Sequence, residues 1–527
     1  MSKSLITAAL GIAALVGTAV AQQTPVTAQS AASQSPAPPS ALAAGAAAPA
    51  GRGGRGNPST QLFTNSCSGC HGTDLAGARA GSLFTESFLS SRSDADIVRT
   101  ILSGIPESGM PAFAGEIAEN QANQLVVYLR LRAGQLKGRP AFVPDPNGQI
   151  VRSRKQTFRI EVVAAGLATP WGGAFLPDGR LLVSERNGNL RIVDTNGKLQ
   201  AAPVEGTPVP FVRQDGGMLD VAVDPDYGRN RWIYLAYSDV VPGVTPAPNS
   251  NVAPNPAPPT MTVLIRGRVV GNRWTDTQEL FRAPASVYST PSDHYGTRFL
   301  FDGKGHLFYS LGDRHNMAAA QNLSTPLGKI HRIHLDGSVP KDNPFVNVPG
   351  AVPTIWSLGH RNPQGLSFDP NTGLLWETEH GPSGGDEINI IDKGHNYGWG
   401  VVSMGLEPGI TQQRAPGMDD PIAHYTPTIA PSGISFYNGN RYPNWKGNLF
   451  VAALAGQQLL RLEVDGRKIV SQEPVLKEYG RVRQVITGPD GLLYVLLQNP
   501  TGAGTGLSLS APTAGMVIKL IPAGLSP

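Results

Sequence analysis

The segment NSCSGCHGTDLAG, residues 65–77, holds both cysteines of the 527-residue chain, and a histidine directly follows the second. The spacing C-x-x-C-H is the attachment signature of c-type haem, in which Cys67 and Cys70 form thioethers to the vinyl groups and His71 ligates the iron. Other uses of two thiols fit less well. A structural disulfide has no need of an adjacent histidine, a zinc site wants further ligands that do not cluster here, and a thioredoxin-like dithiol belongs to a βαβ pattern. A second axial ligand is offered by Met110, which stands between Gly109 and Pro111, about forty residues after His71. It lies in a Gly/Pro-rich loop rather than on an apolar helix face. His/Met ligation raises the reduction potential, which suits a group that accepts electrons and passes them on.

Four further stretches place polar residues where loops are expected: DHYGTR with SLGDRHN, LGHRNPQG, HGPSGGDE with GHNYGWG, and GRVRQV. A loop histidine beside a charged residue, as His294 is beside Asp293, has the chemistry of a general base near neutral pH. A hydrogen-bonded loop histidine has the same look. His360, Arg361 and Asn362 gather cationic groups and an amide that suit an anionic or quinonoid ligand, or form a plain surface pair. Arg481 and Arg483, two apart on a strand, project to one side and call for a shared carboxylate partner. Gly381-Pro382 leads into Gly384-Gly385-Asp386-Glu387, a turn rich in the oxygen donors that Ca²⁺ favours. A tight turn without metal reads alike.

The elements that must carry these residues differ along the chain. Residues 1–21 have a basic start, a short apolar run and an Ala-Val-Ala cleavage site, which predict a signal peptide and hence a periplasmic or secreted protein. Residues 22–57, rich in Ala, Pro and Gly with few large apolar side chains, read as a disordered tether. Residues 58–137 resemble a small all-α class I cytochrome c, with amphipathic helices expected in SDADIVRTILSGI and EIAENQANQLVVYLRLR. Residues 138–157 form a Pro/Gly-rich linker that permits limited reorientation. In residues 158–527 one phrase recurs, a turn leading into an apolar strand: LPDGRLLVSER, DPDYGRNRWIYLAYS, FDGKGHLFYSLGD, DPNTGLLWETEHG, YPNWKGNLFVAAL and GPDGLLYVLLQ. Such repetition predicts one four-stranded blade per copy and an all-β six-bladed β-propeller. The stretch VVPGVTPAPNSNVAPNPAPPTM is a loop by its proline content. The formal net charge is +4 and the basic residues are scattered, so nucleic acid is not an expected partner. No stretch beyond the signal approaches about eighteen unbroken apolar residues, so no integral membrane segment is expected after its removal.

From about Val162 to Ile521 the chain resembles the glucose/sorbosone dehydrogenase family, six-bladed propellers that bind pyrroloquinoline quinone (PQQ) and calcium. The densest likeness runs from LGKIHRIHLDGSVPKDNPF through LGHRNPQGL to GGDEINIIDKGHNYGWG. The resemblance implies that His294 is the base that takes the hydroxyl proton and that Asp313 orients it. It implies that Arg361 and Asn362 hold PQQ near its reactive carbonyls, with Arg361 in the catalytic set, and that Arg481 and Arg483 hold its carboxylates. Backbone oxygens of Gly381 and Pro382 would face the Ca²⁺. Two positions depart from the family: Asp215 stands where a glutamine is common, and Ala455 where the glucose enzyme has a lysine. The expectation is an exported quinohaemoprotein that oxidises an aldose sugar or related alcohol by hydride transfer to PQQ. Electrons then pass to the covalently attached haem c and on to a cytochrome or oxidase. A Ca²⁺-dependent hydrolase or lactonase, or a non-catalytic propeller that docks a cytochrome, are the alternatives.

Overall fold

The computed structural model describes residues 58–136 (apart from 74, 76–78, 84–87, 89 and 90), 145–244, 258–498 and 515–523. The expected signal peptide, the tether and residues 245–257 of the proline-rich loop lie outside the described residues.

The N-terminal part is helical. Helix α1 (Pro58–Ser66) leads through Cys67 into the short α2 (Ser68–His71). Helix α3 (Asp94–Ser103) opens with a complete capping box, in which the Ser93 side chain accepts from Asp96 N–H and the Asp96 carboxylate accepts from Ser93 N–H. Helix α4 spans Glu119–Leu136. Ile97, Val98 and Ile101 of α3 recur at helical spacing and close on Phe63 of α1 and on Ala122, Leu125, Val126 and Leu129 of α4. Both helices predicted around Met110 are therefore present, and their apolar faces make the core that a haem would abut.

The rest is a six-bladed β-propeller. Each recurring phrase supplies the turn before the second strand of one sheet. Those strands are Leu181–Glu185, Ile233–Val240, His306–Leu311, Leu375–Glu379, Leu449–Ala453 and Leu493–Gln498. The first strands of the blades stand around the central axis, each packed on the next. They are Pro170–Phe175, Met218–Val223, Phe299–Phe301, Pro363–Phe368, Pro431–Phe436 and Arg481–Thr487. The ring closes when Thr157–Leu167 adds to Gly515–Pro522, with Phe158 opposite Pro522 and Ile160 opposite Leu520. Trp171, Trp376 and Trp445 are wholly buried between sheets. Burial of each such ring contributes roughly 4–6 kcal/mol.

The stretch expected as a linker is partly built into this sheet. Ile150–Arg152 pairs antiparallel with Thr157–Arg159 at the edge of the last blade, and Val151 packs on its core. Helix α4 also meets the propeller. Asn120 Nδ2 and Gln124 Nε2 donate to the carbonyls of Thr411 and Ile410, each at 3.2 Å. A Cβ on Gly134 would lie 2.4 Å from Pro427 Cγ. Glycine is costly inside a helix, and here the close approach of the two parts requires it.

Candidate active site

The site is assembled at one mouth of the central channel. His294 sits in the loop before the first strand of blade 3 and has a left-handed backbone, φ 54°, a conformation that costs a non-glycine residue about 1–2 kcal/mol. Its side chain is buried. Nδ1 lies 2.7 Å from Asp313 Oδ1. A carboxylate only accepts, so Nδ1 carries the proton and Nε2 is left as the basic nitrogen. Asp313 is fixed in turn: Trp399 Nε1 donates to Oδ2 at 2.6 Å, and the His315 N–H donates to Oδ1 at 2.9 Å. Burial, then the Arg361 guanidinium, push the His294 pKa below its usual value against the pull of Asp313. Burial pushes the Asp313 carboxyl up, but its bond to His294, the charges of His294 and Arg361 and the bond from Trp399 together hold it below its usual value. The pair is therefore a neutral imidazole against a carboxylate, the state a base needs.

Arg361 and Asn362 lie in the short connection between the last strand of blade 3, which ends at Leu358, and the first strand of blade 4, which begins at Pro363. The Arg361 N–H donates to Glu379 Oε2 at 2.5 Å, and its Nη1 donates to the His380 carbonyl at 3.0 Å. Its guanidinium stacks over Trp399. Asn362 Oδ1 accepts from Gly296 N–H at 3.1 Å, which ties it to the loop that carries His294. The structure thus brings His294, Asp313, Arg361 and Asn362 into one cluster.

Arg481 and Arg483 line the channel from the sixth blade and are joined by Arg186. Burial, with Asp215 opposing it, lowers Arg186. Burial lowers Arg481 to about 10, with Arg186 repelling it. Arg483 is pushed down further by burial and by Arg481. Among the described residues, these three guanidiniums share one neighbouring carboxylate, Asp215. Among the described residues, the buried Nε atoms of Arg186, Arg361 and Arg483 have no hydrogen-bond partner. A polycarboxylate would answer both the excess charge and the unmet donors, so the residues fit PQQ. Asp215 neutralises part of that charge, and its own N–H is taken by the Ser292 carbonyl. Ala455 serves through its backbone, donating to Ile429 O at 2.9 Å.

Gly381 and Pro382 border a cavity of about 10 Å³ whose walls include Glu379, Gly385 and Glu387, close to the size of one water or ion. A Cβ on Gly381 would lie 2.3 Å from the carbonyl oxygens of Gly384 and Gly385, so only glycine fits. Burial drives Glu387 well above the usual carboxylate range, and Glu379 adds repulsion. Buried, mutually repelling carboxylates beside carbonyls are the donor set of a hard cation, and they fit Ca²⁺.

In the helical part, the His71 ring is anchored through Nδ1 to the Gly81 carbonyl at 3.3 Å, which turns Nε2 outward, as a metal-ligating histidine requires. Cys67 and Cys70 are free thiols at the two ends of one turn. Met110 is half-buried and bridged to Ile105 through the backbone. The set fits a haem.

Residues 167–507 match the family model "Glucose / Sorbosone dehydrogenase". The chain belongs to the glucose/sorbosone dehydrogenase family. Residues 55–129 match the model "Cytochrome C oxidase, cbb3-type, subunit III". The "Aldose sugar dehydrogenase YliI" of Escherichia coli K12 is 37% identical over 356 residues, 66% of this chain and 91% of that protein. The crystal structure of the soluble aldose sugar dehydrogenase from E. coli in the apo-form has TM-score 0.59 and 33% identity, covering 69% of this chain and 99% of that one. The PQQ-bound form of an aldose sugar dehydrogenase from Streptomyces coelicolor has TM-score 0.52 and 26% identity, covering 71% and 100%. Within this family member, several site residues were not singled out from sequence. Trp399 stands in the quoted GHNYGWG phrase and Arg186 ends the quoted LPDGRLLVSER phrase. Arg186 read there as part of a repeat, and Trp399 as an apolar neighbour of polar loop residues. His315 and its partner Asp293 had no signal beyond their closeness to Asp313 and His294.

Proposed function

We propose that the protein is an exported, periplasmic or secreted quinohaemoprotein that oxidises an aldose sugar or related alcohol and feeds the electrons to its own haem c. The observation that carries this reading is His294: a buried, neutral imidazole with Nδ1 committed to Asp313, placed beside an arginine cluster short of anions. His294 Nε2 takes the proton of the substrate hydroxyl. Asp313 holds the tautomer and stabilises the imidazolium that forms, and Trp399 fixes Asp313. Arg361 and Asn362 orient the reacting end of the quinone, Arg481 and Arg483 bind its carboxylates, and the Gly381 and Pro382 oxygens hold Ca²⁺. PQQ, when bound, supplies the two-electron quinone that accepts the hydride, with Ca²⁺ polarising it. The haem held by Cys67, Cys70, His71 and Met110 supplies a one-electron outlet, and a cytochrome or oxidase is the next acceptor. The contact of α4 with Ile410 and Thr411 supports transfer within one chain, because the same connection after the third strand of blade 4 also carries Trp399.

The test is the visible spectrum of the haem-loaded protein with PQQ and Ca²⁺, before and after aldoses are added without oxygen. Reduction of the haem by a sugar only when PQQ is present is the expected result. A haem that stays oxidised with every sugar yet responds to dithionite would overturn the reading. Ester or lactone hydrolysis restored by Ca²⁺ alone would replace it with a hydrolase.

A further inference from the structure

A second histidine–aspartate pair lies against the first. The His315 ring stacks on His294 with centroids 4.0 Å apart and planes 18° from parallel. Its Nε2 lies 2.6 Å from Asp293 Oδ1, and its N–H donates to Asp313 Oδ1. The two pairs are cross-linked in sequence as well: Asp293 precedes His294, and His315 follows Asp313 by two. The backbone is unusual at the same places. His294, Arg314 and His315 all have left-handed φ, 54°, 53° and 58°. A Cβ on Gly312 would lie 2.1 Å from His294 O, so the loops interlock. Arg314 donates to the carbonyls of Asp293 and Pro291 and stacks on Tyr295, clamping the loop of the base. Strain concentrated in two touching loops is retained where the surroundings enforce it. Face-to-face rings aim their lone pairs sideways, so this grouping is built to stack and not to share an ion.

We propose that His315 is a positioning residue for the oxidation: paired with Asp293, it fixes the ring of His294 by stacking and sets a cation against it. The proposal rests on the reading of His294 as the base. The groups facing His294 are Asp313, Arg361, His315, Asp293 and His380; those facing His315 are Asp293, Asp313, Arg361 and His294. The Asp293 bond raises the His315 pKa, so His315 is charged through the acid range. A cation 4 Å away disfavours a proton on His294. The base then stays neutral to lower pH and turnover survives mild acid. In His315→Gln both the cation is lost and Asp293 is left unpaired, and each change favours protonated His294.

The deciding experiment is a pH titration of the histidine ring nitrogens by NMR in the full chain, with the His294 signal assigned by its loss in His294→Gln. It is run beside the pH profile of kcat/KM for the PQQ-loaded protein. In His315→Gln the His294 midpoint and the acid limb of activity both move up, by about one pH unit. His315→Lys, which restores a cation beside Asp293, moves them back. An unchanged His294 midpoint in folded His315→Gln, judged by its circular dichroism, overturns the proposal. If His315→Gln does not fold, Asp293→Asn must lower the His315 midpoint, and a His315 midpoint that stays put overturns it equally. Failure of the base reading shows separately, as a His294 midpoint that shifts while activity ignores it.

Discussion

The helical part and the propeller of this chain are built by opposite strategies. The proposed haem site takes three of its four residues from five consecutive positions, Cys67 to His71, on one helical turn. The propeller site draws Arg186, His294, Asp313, Arg361, Trp399 and Arg483 from blades 1, 3, 4 and 6 and the loops next to them. A covalently attached group tolerates a local site, because two bonds replace the enclosure that affinity would need. A group held by hydrogen bonds and charge has to be surrounded. The propeller axis is where six sheets present loops to one point, so its site is rigid only if the ring is closed.

Loss of the local site is all-or-none. Replacing Cys67 and Cys70 together by Ser removes covalent haem, seen as loss of haem stain on a denaturing gel. Sugar oxidation with an artificial dye continues, because the propeller folds around its own cores. If dye-linked activity also vanished, the two parts would be interdependent and the contrast would fail. In the distributed site, His294→Ala lowers kcat/KM roughly a hundred- to ten-thousand-fold, with PQQ binding retained by equilibrium dialysis. Arg481→Gln weakens PQQ about ten- to a hundredfold, the loss of one or two charge-assisted bonds. The same change raises the Tm of the PQQ-free protein, since it removes one of three crowded guanidiniums. A fall in that Tm would mean that the arginines are already satisfied.

Protonation distinguishes the parts further. Burial depresses His331 to about 3, while its ring nitrogens meet Pro326 O and Thr354 Oγ1, each at 2.9 Å. Its unfolded form binds a proton near 6.5, so between there and about pH 3 the unfolded chain holds the extra proton. The contribution of His331 to propeller stability is fully present above pH 6.5 and is lost by about 1.4 kcal/mol per unit below it. Urea unfolding from pH 6.5 to 4 should show that slope, and His331→Asn should flatten it. The smallest effect belongs to the helical part: Ser93→Ala removes the capping box of α3 and costs about 1 kcal/mol, measurable as a lowered Tm of the helical transition.

How far each part could be read in advance follows from the same contrast. Cys67, Cys70, His71 and Met110 were singled out, as the residues proposed to hold a haem, because covalent and axial ligation would fix residue type and local spacing. The six blades were legible because each turn-and-strand phrase encodes one local hairpin. His294, Asp313, Arg361, Asn362, Arg481 and Arg483 were located through the family resemblance and are brought together in space. The linker was misjudged in part, since Ile150–Arg152 pairs with a strand a few residues on, and a three-residue edge strand carries no periodicity.

The sequence by itself carried the C-x-x-C-H spacing on which the haem proposal rests, and it determined the repeat; both depend on neighbours within a few residues. Only the tertiary structure decided that Trp399, 86 residues from Asp313, fixes that carboxylate, that Arg186 joins Arg481 and Arg483, and that His315 lies on His294. Those contacts form when blades close into a ring and their loops converge. Which residues meet at the axis is set by the curvature of the whole ring, a property that no single stretch of the chain possesses.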